Sequence, residues 1–167
     1  HEYGKKLMGV LSSTSFPVGR IGAGVSATIN KVEKDKRRWG GQGASFINLG
    51  FAKVFTAVVL NSIGDIIKDE KSISSIYPPL PSMPSKSLPG QNTTLSIVVT
   101  DAILDRNQLK RLAVSVHTAM AQRIKPFHTY SDGDILFAVS TNQTKISADQ
   151  EFEITLKASD QMLIAIE

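Results

Sequence analysis

An α+β domain is the fold class that the sequence predicts, and three observations predict it. Alternating and β-branched apolar residues fill positions 43–61, a second apolar run opens at Leu95, and two capped helical patterns follow, near Asp105 and Ser147. Composition agrees, since 167 residues with 41% hydrophobic content can bury the core of one domain and are unlike a disordered chain.

Each element has its own signal. Residues 20–30 run from small to β-branched, which predicts a glycine turn leading into a strand. Gly19-Arg20-Ile21-Gly22-Ala23-Gly24 has the wrong glycine order for a dinucleotide fingerprint, and a strand rather than a helix is expected after it. Lys31-Val32-Glu33-Lys34-Asp35-Lys36-Arg37-Arg38 reads as a solvated charged turn. Two strands are expected over 43–50 and 52–61, with Asn61-Ser62-Ile63-Gly64-Asp65 closing the second. From Lys68 to Gln91 the chain is rich in Ser, Pro and Lys and has no periodicity, so it is expected to be a linker. Thr93–Thr100 then predicts a central strand.

Asp105 can cap a helix reaching about Ile124, because Leu109, Leu112, Ala113, Val116, Met120 and Ile124 make one apolar stripe. Pro126 is expected to end it. Ile135–Ser140 predicts a further strand, and Ser147 with Gln150 forms a capping-box signal for a last helix through Ile166.

Composition also narrows function. The net charge of +4 arises from 19 basic and 15 acidic residues, and acids interrupt its densest run, so no nucleic-acid footprint is expected. There is no cysteine, which excludes disulfides, thiolate metal sites and a Cys nucleophile. His1, His117 and His128 lack ligand spacing, so neither metal nor cofactor is expected, and His117 reads as a partly buried helix residue. No apolar run reaches the ~18 residues of a membrane span, and no signal-peptide core is present. A cytoplasmic protein with no membrane partner is the expectation.

At Asn92-Thr93 the Pro- and Ser-rich stretch meets the apolar run that begins at Leu95. An ordinary loop-to-strand boundary is one reading of this junction; a self-cleavage site is the other. Breaking that bond would leave Thr93 with a hydroxyl nucleophile and an α-amine titrating near ~8, against ~10.4 for a lysine, so that one residue could serve as nucleophile and base. Asp132 and Asp134 flank Gly133 before the next strand, either as turn residues or as carboxylates orienting that amine and a lysine. Lys31, at the end of a predicted strand, is the lysine candidate. Asn61 ends an apolar strand, where it is either a turn residue or an oxyanion donor.

Five blocks occur in order: Gly22-Ala23-Gly24-Val25-Ser26-Ala27-Thr28 with Lys31; Gly40-Gly41-Gln42-Gly43-Ala44-Ser45; Val59-Leu60-Asn61-Ser62-Ile63-Gly64-Asp65; Asn92-Thr93-Thr94; and Pro126 to Ala138. Together they resemble the self-processing D-aminopeptidase/β-aminopeptidase family, on the side of members that cut an Asn-Thr bond, nylon-oligomer endo-hydrolases included. The resemblance implies an αββα sandwich, here lacking the N-terminal part of the family fold, with 1–92 as the end of one subunit-like segment and 93–167 as the other. It implies a hydrolase of small peptides or amides, cut between Asn92 and Thr93, with Thr93 as nucleophile and Asn61 at the oxyanion site. Lys31, Asp132 and Asp134 would form the polar network. It also implies a further N-terminal segment of the same gene product as partner, and a homo-oligomer, in the family a tetramer of processed pairs. A non-catalytic assembly or binding module on the same fold is the alternative.

Overall fold

The computed structural model describes residues 15–32, 34–67 and 92–167. Strand β1 (Thr28–Ile29) pairs antiparallel with β2 (Arg38–Trp39) as a small ribbon beside the main sheet. The main sheet contains β3 (Gly41–Asn48), β4 (Lys53–Leu60), β6 (Leu95–Ala102) and β8 (Ile135–Thr144), in that spatial order. β5 (Asp65–Ile66) pairs with β7 (Ile124–Lys125) as a second ribbon. The helices are α1 (Arg106–Met120) and α2 (Ala148–Ile166).

The sheet begins with a hairpin in which Gly41 faces Leu60 and Asn48 faces Lys53. Its turn needs Gly50, whose φ of +84° lies in the left-handed region, and Asn48 Oδ1 accepts the Gly50 N–H at 2.9 Å. β6 pairs antiparallel with β4 and parallel with β8, the crossover to β8 running through α1. The run at Leu95 is therefore the central strand that its apolar content predicts.

Both helices pack on one face of the sheet. Alternation along β4 and β6 sends Val54, Thr56, Val58, Ser96, Val98 and Thr100 to that face, where all are buried. They meet Leu112, Val116 and Met120 of α1 and Ile154, Ala158 and Met162 of α2. Fully burying aliphatic side chains of this kind stabilises by roughly 1.5–3 kcal/mol each. Reciprocal capping boxes start both helices: Asp105 accepts the N–H groups of Asn107 and Gln108 at 2.7 and 2.9 Å, and Ser147 accepts that of Gln150 at 3.3 Å.

The opposite face is apolar and open among the described residues. Phe46, Leu95, Ile135, Phe137 and Val139 all project there with exposed side chains, Phe46 at 60% and Phe137 at 54%. One helix layer on one sheet is half of an αββα sandwich, and the open face is where a second sheet stacks in such a fold.

Three expectations change. The strand predicted within 20–30 shrinks to Thr28–Ile29, because Gly22–Gly24 close a 3-10 turn in which Gly24 N–H reaches Ile21 O at 2.9 Å. α1 stops at Met120 rather than near Ile124, well before Pro126. The Ile124 backbone is used instead to pair with Ile66, and its side chain reaches the same core from β7. The strand at Ile135 continues past Ser140 to Thr144. The expected linker, 68–91, lies outside the described residues.

Candidate active site

Thr93 sits just before β6, and its neighbours are stitched to the loop that leads into β8. Gly133 N–H donates to the Asn92 carbonyl at 2.7 Å, and Ile135 N–H donates to the Thr94 carbonyl at 3.0 Å. Asp134, 6% exposed, accepts the Thr94 N–H at 2.6 Å on one carboxylate oxygen and the His128 N–H at 3.1 Å on the other. Residues 92–94 are thereby held on both sides of Thr93. Gly133 lies so close that a Cβ there would stand 2.5 Å from the Thr93 hydroxyl oxygen.

Asp132 closes the neighbouring turn. Its carboxylate accepts the Thr129 N–H at 2.9 Å, the Thr129 hydroxyl at 2.8 Å and the Ile63 N–H at 3.4 Å. The last bond ties this turn to the chain just beyond Asn61. Burial pushes the Asp132 carboxyl above its ordinary range; the bonds from Thr129 oppose that push, and the Asp134 charge adds to it.

Lys31 and Asn61 meet directly. The Lys31 ammonium donates to the Asn61 side-chain oxygen at 2.8 Å and to its backbone carbonyl at 2.9 Å. Thr28 N–H donates to the same side-chain oxygen at 3.2 Å. The lysine is delivered there because Asn30 N–H and Lys31 N–H pair with the carbonyls of Gly64 and Ile63, at 2.9 and 2.8 Å. Desolvation, with the Arg37 charge adding to it, lowers the Lys31 pKa from 10.5 to about 8 against the opposing pull of Asp132 and Asp134.

A cavity of about 500 Å³ opens beside this network, and Thr93, Asn61, Thr28, Arg37, Val59 and Leu95 line it. Thr93 and Asn61 therefore share one space, with Lys31 bonded to Asn61 and Asp134 bonded to the residue after Thr93. All five candidates named from the sequence fall in one region of the fold. His117 packs against Phe127 and His128 nearby, with ring centroids 4.9 and 4.6 Å away, and its pKa is lowered chiefly by burial.

Two residues escaped sequence reasoning. Gly133 reads as a turn glycine, and nothing in the linear sequence says that a hydroxyl abuts its Cα. Arg37 reads as one charge in a solvated run, yet its guanidinium reaches the Thr28 hydroxyl, Nε at 3.2 Å and Nη2 at 3.0 Å, at the cavity wall. The run does not form one cationic face: Lys31 turns to Asn61, Arg37 to the cavity, and Arg38 pairs with Asp65.

A sheet covered by helices on one face is half of a layered sandwich, and solved structures show the same architecture. The L-aminopeptidase D-Ala-esterase/amidase of Ochrobactrum anthropi, described as a variant of the N-terminal-nucleophile hydrolase fold, superposes with a TM-score of 0.70 over 97% of this chain and 47% of its own, at 18% identity. The chain belongs to peptidase family S58, whose profile matches residues 8–166. It is 36% identical to the 6-aminohexanoate-oligomer endohydrolase of Paenarthrobacter ureafaciens, over 77% of this chain and 41% of that one. The corresponding enzyme of a Kocuria species gives the same identity and the same coverage. The chain thus spans less than half the length of these relatives.

Proposed function

We propose that this chain is the nucleophile-bearing part of a self-cleaving amidohydrolase that acts on small peptides or other amides through an acyl-enzyme on Thr93. The observation that carries the reading is the arrangement at the junction. The Asn92 carbonyl receives the Gly133 N–H at 2.7 Å, and the Thr93 hydroxyl lies against the same glycine in the Asn61-lined cavity. A carbonyl polarised by a fixed N–H beside a hydroxyl is prepared for an N-to-O acyl shift.

In that shift the Thr93 hydroxyl oxygen bonds to the Asn92 carbonyl carbon, and the carbon–nitrogen bond breaks as its nitrogen takes up a proton. Water then hydrolyses the ester, leaving an Asn92 carboxylate and a Thr93 with free amine and hydroxyl. Substrate amides follow the same course, with the amine as base, an acyl group carried on Thr93 and release by water. Asn61, held by Lys31 and Thr28, would steady the developing oxyanion, and Asp132 and Asp134 would fix the loop that bears on the nucleophile.

Members of the family whose names are known as oligomer endohydrolases and aminopeptidases support amide hydrolysis as the chemistry. The same reading assigns the open sheet face to a further segment of the same gene product and the mature enzyme to a cytoplasmic homo-oligomer. No helix among the described residues is long and apolar enough to cross a membrane. Mass spectrometry tests the reading: the purified protein should give a fragment beginning at Thr93, and Thr93→Ala should stay uncut and inactive. An intact, active Thr93→Ala protein would overturn it. The open face favours a second reading, an assembly module without turnover, and this predicts no amide hydrolysis even where the 92–93 bond is broken.

A further inference from the structure

We infer that Arg37 is a specificity-determining residue of the Thr93 cavity, and that the site takes small amides bearing a carboxylate. This rests on the proposed amide hydrolysis and names the substrate class within it. Among the described residues that line the cavity, Arg37 alone carries a formal charge; the others are small, apolar or neutral polar groups such as Thr28, Asn61 and Val59. Its guanidinium is oriented rather than free-swinging, because Nε and Nη2 both donate to the Thr28 hydroxyl, on a residue that is itself buried. That leaves the far edge of a planar, permanently charged fork at the cavity wall.

No carboxylate among the described residues pairs with Arg37, whereas Arg38 is paired with Asp65 and Arg123 with Glu167. A cavity that selected a substrate ammonium would need an acid turned toward it. Both acids of the site are engaged elsewhere: Asp134 holds the N–H groups of Thr94 and His128, and Asp132 those of Thr129 and Ile63. The charge that the described walls offer a ligand is positive, and its complement is a carboxylate within a small molecule's length of the scissile carbonyl. At about 500 Å³ the space suits a ligand of that size.

The test compares glutaryl-p-nitroanilide with its uncharged analogue, in which a carboxamide replaces the free carboxylate, using the full-length processed protein. The carboxylate substrate should be preferred by ~10- to 100-fold in kcat/KM, the range of a charge-assisted bidentate contact. Arg37→Met should abolish the preference by raising KM for the carboxylate substrate far more than for the neutral amide, and Arg37→Lys should restore only part of it. Calorimetric binding of glutarate to Thr93→Ala, with and without Arg37→Met, reads the same contact without catalysis. Turnover with no preference, or a preference that survives Arg37→Met, overturns the inference while leaving the hydrolase reading in place. Arg37-dependent glutarate binding without any turnover overturns the hydrolase reading and leaves the carboxylate site standing.

Discussion

The sharpest consequences lie at two residues that bear on Thr93 without being its chemical partners. A methyl group at Gly133 would stand 2.5 Å from the Thr93 hydroxyl oxygen, so Gly133→Ala must turn that hydroxyl away from its present position. A threonine χ1 rotation relieves the clash at little cost to the fold. Cleavage at Asn92-Thr93 and amide turnover should therefore fall by ~100-fold or more, the scale of a 1 Å misplacement, while the denaturation midpoint hardly moves. Equal loss of stability and activity would show that the glycine is merely structural. Lys31 gives the second prediction. Burial and Arg37 disfavour its charge, so the folded protein releases that proton as pH rises through about 8, whereas the unfolded chain keeps it until its ordinary 10.5. Between those values the unfolded chain binds more protons, and stability should rise with pH across that window. Lysine-selective NMR should show one side chain titrating near 8, absent in Lys31→Met and shifted upward in Arg37→Met. Neither contact is legible in the sequence, because Gly133 sits in an Asp-Gly-Asp stretch that any turn would use, and Arg37 in a run whose members turn three different ways in space.

Elements were legible where one local signal decides the outcome, and less so where distant backbone competes. The two capping boxes fixed the helix starts at Arg106 and Ala148, as read from Asp105 and Ser147. Asp105→Ala removes an acceptor serving two N–H groups and should cost about 1 kcal/mol in urea denaturation with an unchanged m-value. The end of α1 was misplaced for a physical reason. Ile124 continues the apolar stripe in sequence, but Asp65–Ile66 offers its backbone a strand partner, and burial in the core is reached equally well from β7. Periodicity counts apolar side chains and is blind to which backbone partner captures them. The hairpin boundaries moved by only one or two residues, since Gly50 and Asn48 place the turn locally. Asp134 shows the converse case: a carboxylate that sequence reasoning assigns to chemistry also works as an anchor between the ends of two elements.

At the scale of the whole molecule, one sheet face is unlike the surface of a self-sufficient domain. Exposed apolar side chains on adjacent strands, Leu95 on β6 beside Ile135 and Phe137 on β8, form the kind of contiguous patch that marks a contact surface. The sequence carried the alternation that creates this face but could not show that helices cover only the other one, since β6 has apolar residues on both faces. Phe137→Glu separates the two possible environments. In the 167-residue chain alone Phe137 is 54% exposed, so a carboxylate there is solvated and stability should change by no more than ~0.5 kcal/mol. Where further chain covers the face, as proposed for the mature protein, the same substitution buries an unpaired charge and should lower stability by several kcal/mol or prevent assembly. Thermal denaturation of the substituted protein in both forms reads the difference. If Phe137→Glu is harmless in the full-length molecule as well, the face stays in water there, and the covering segment is not part of this fold.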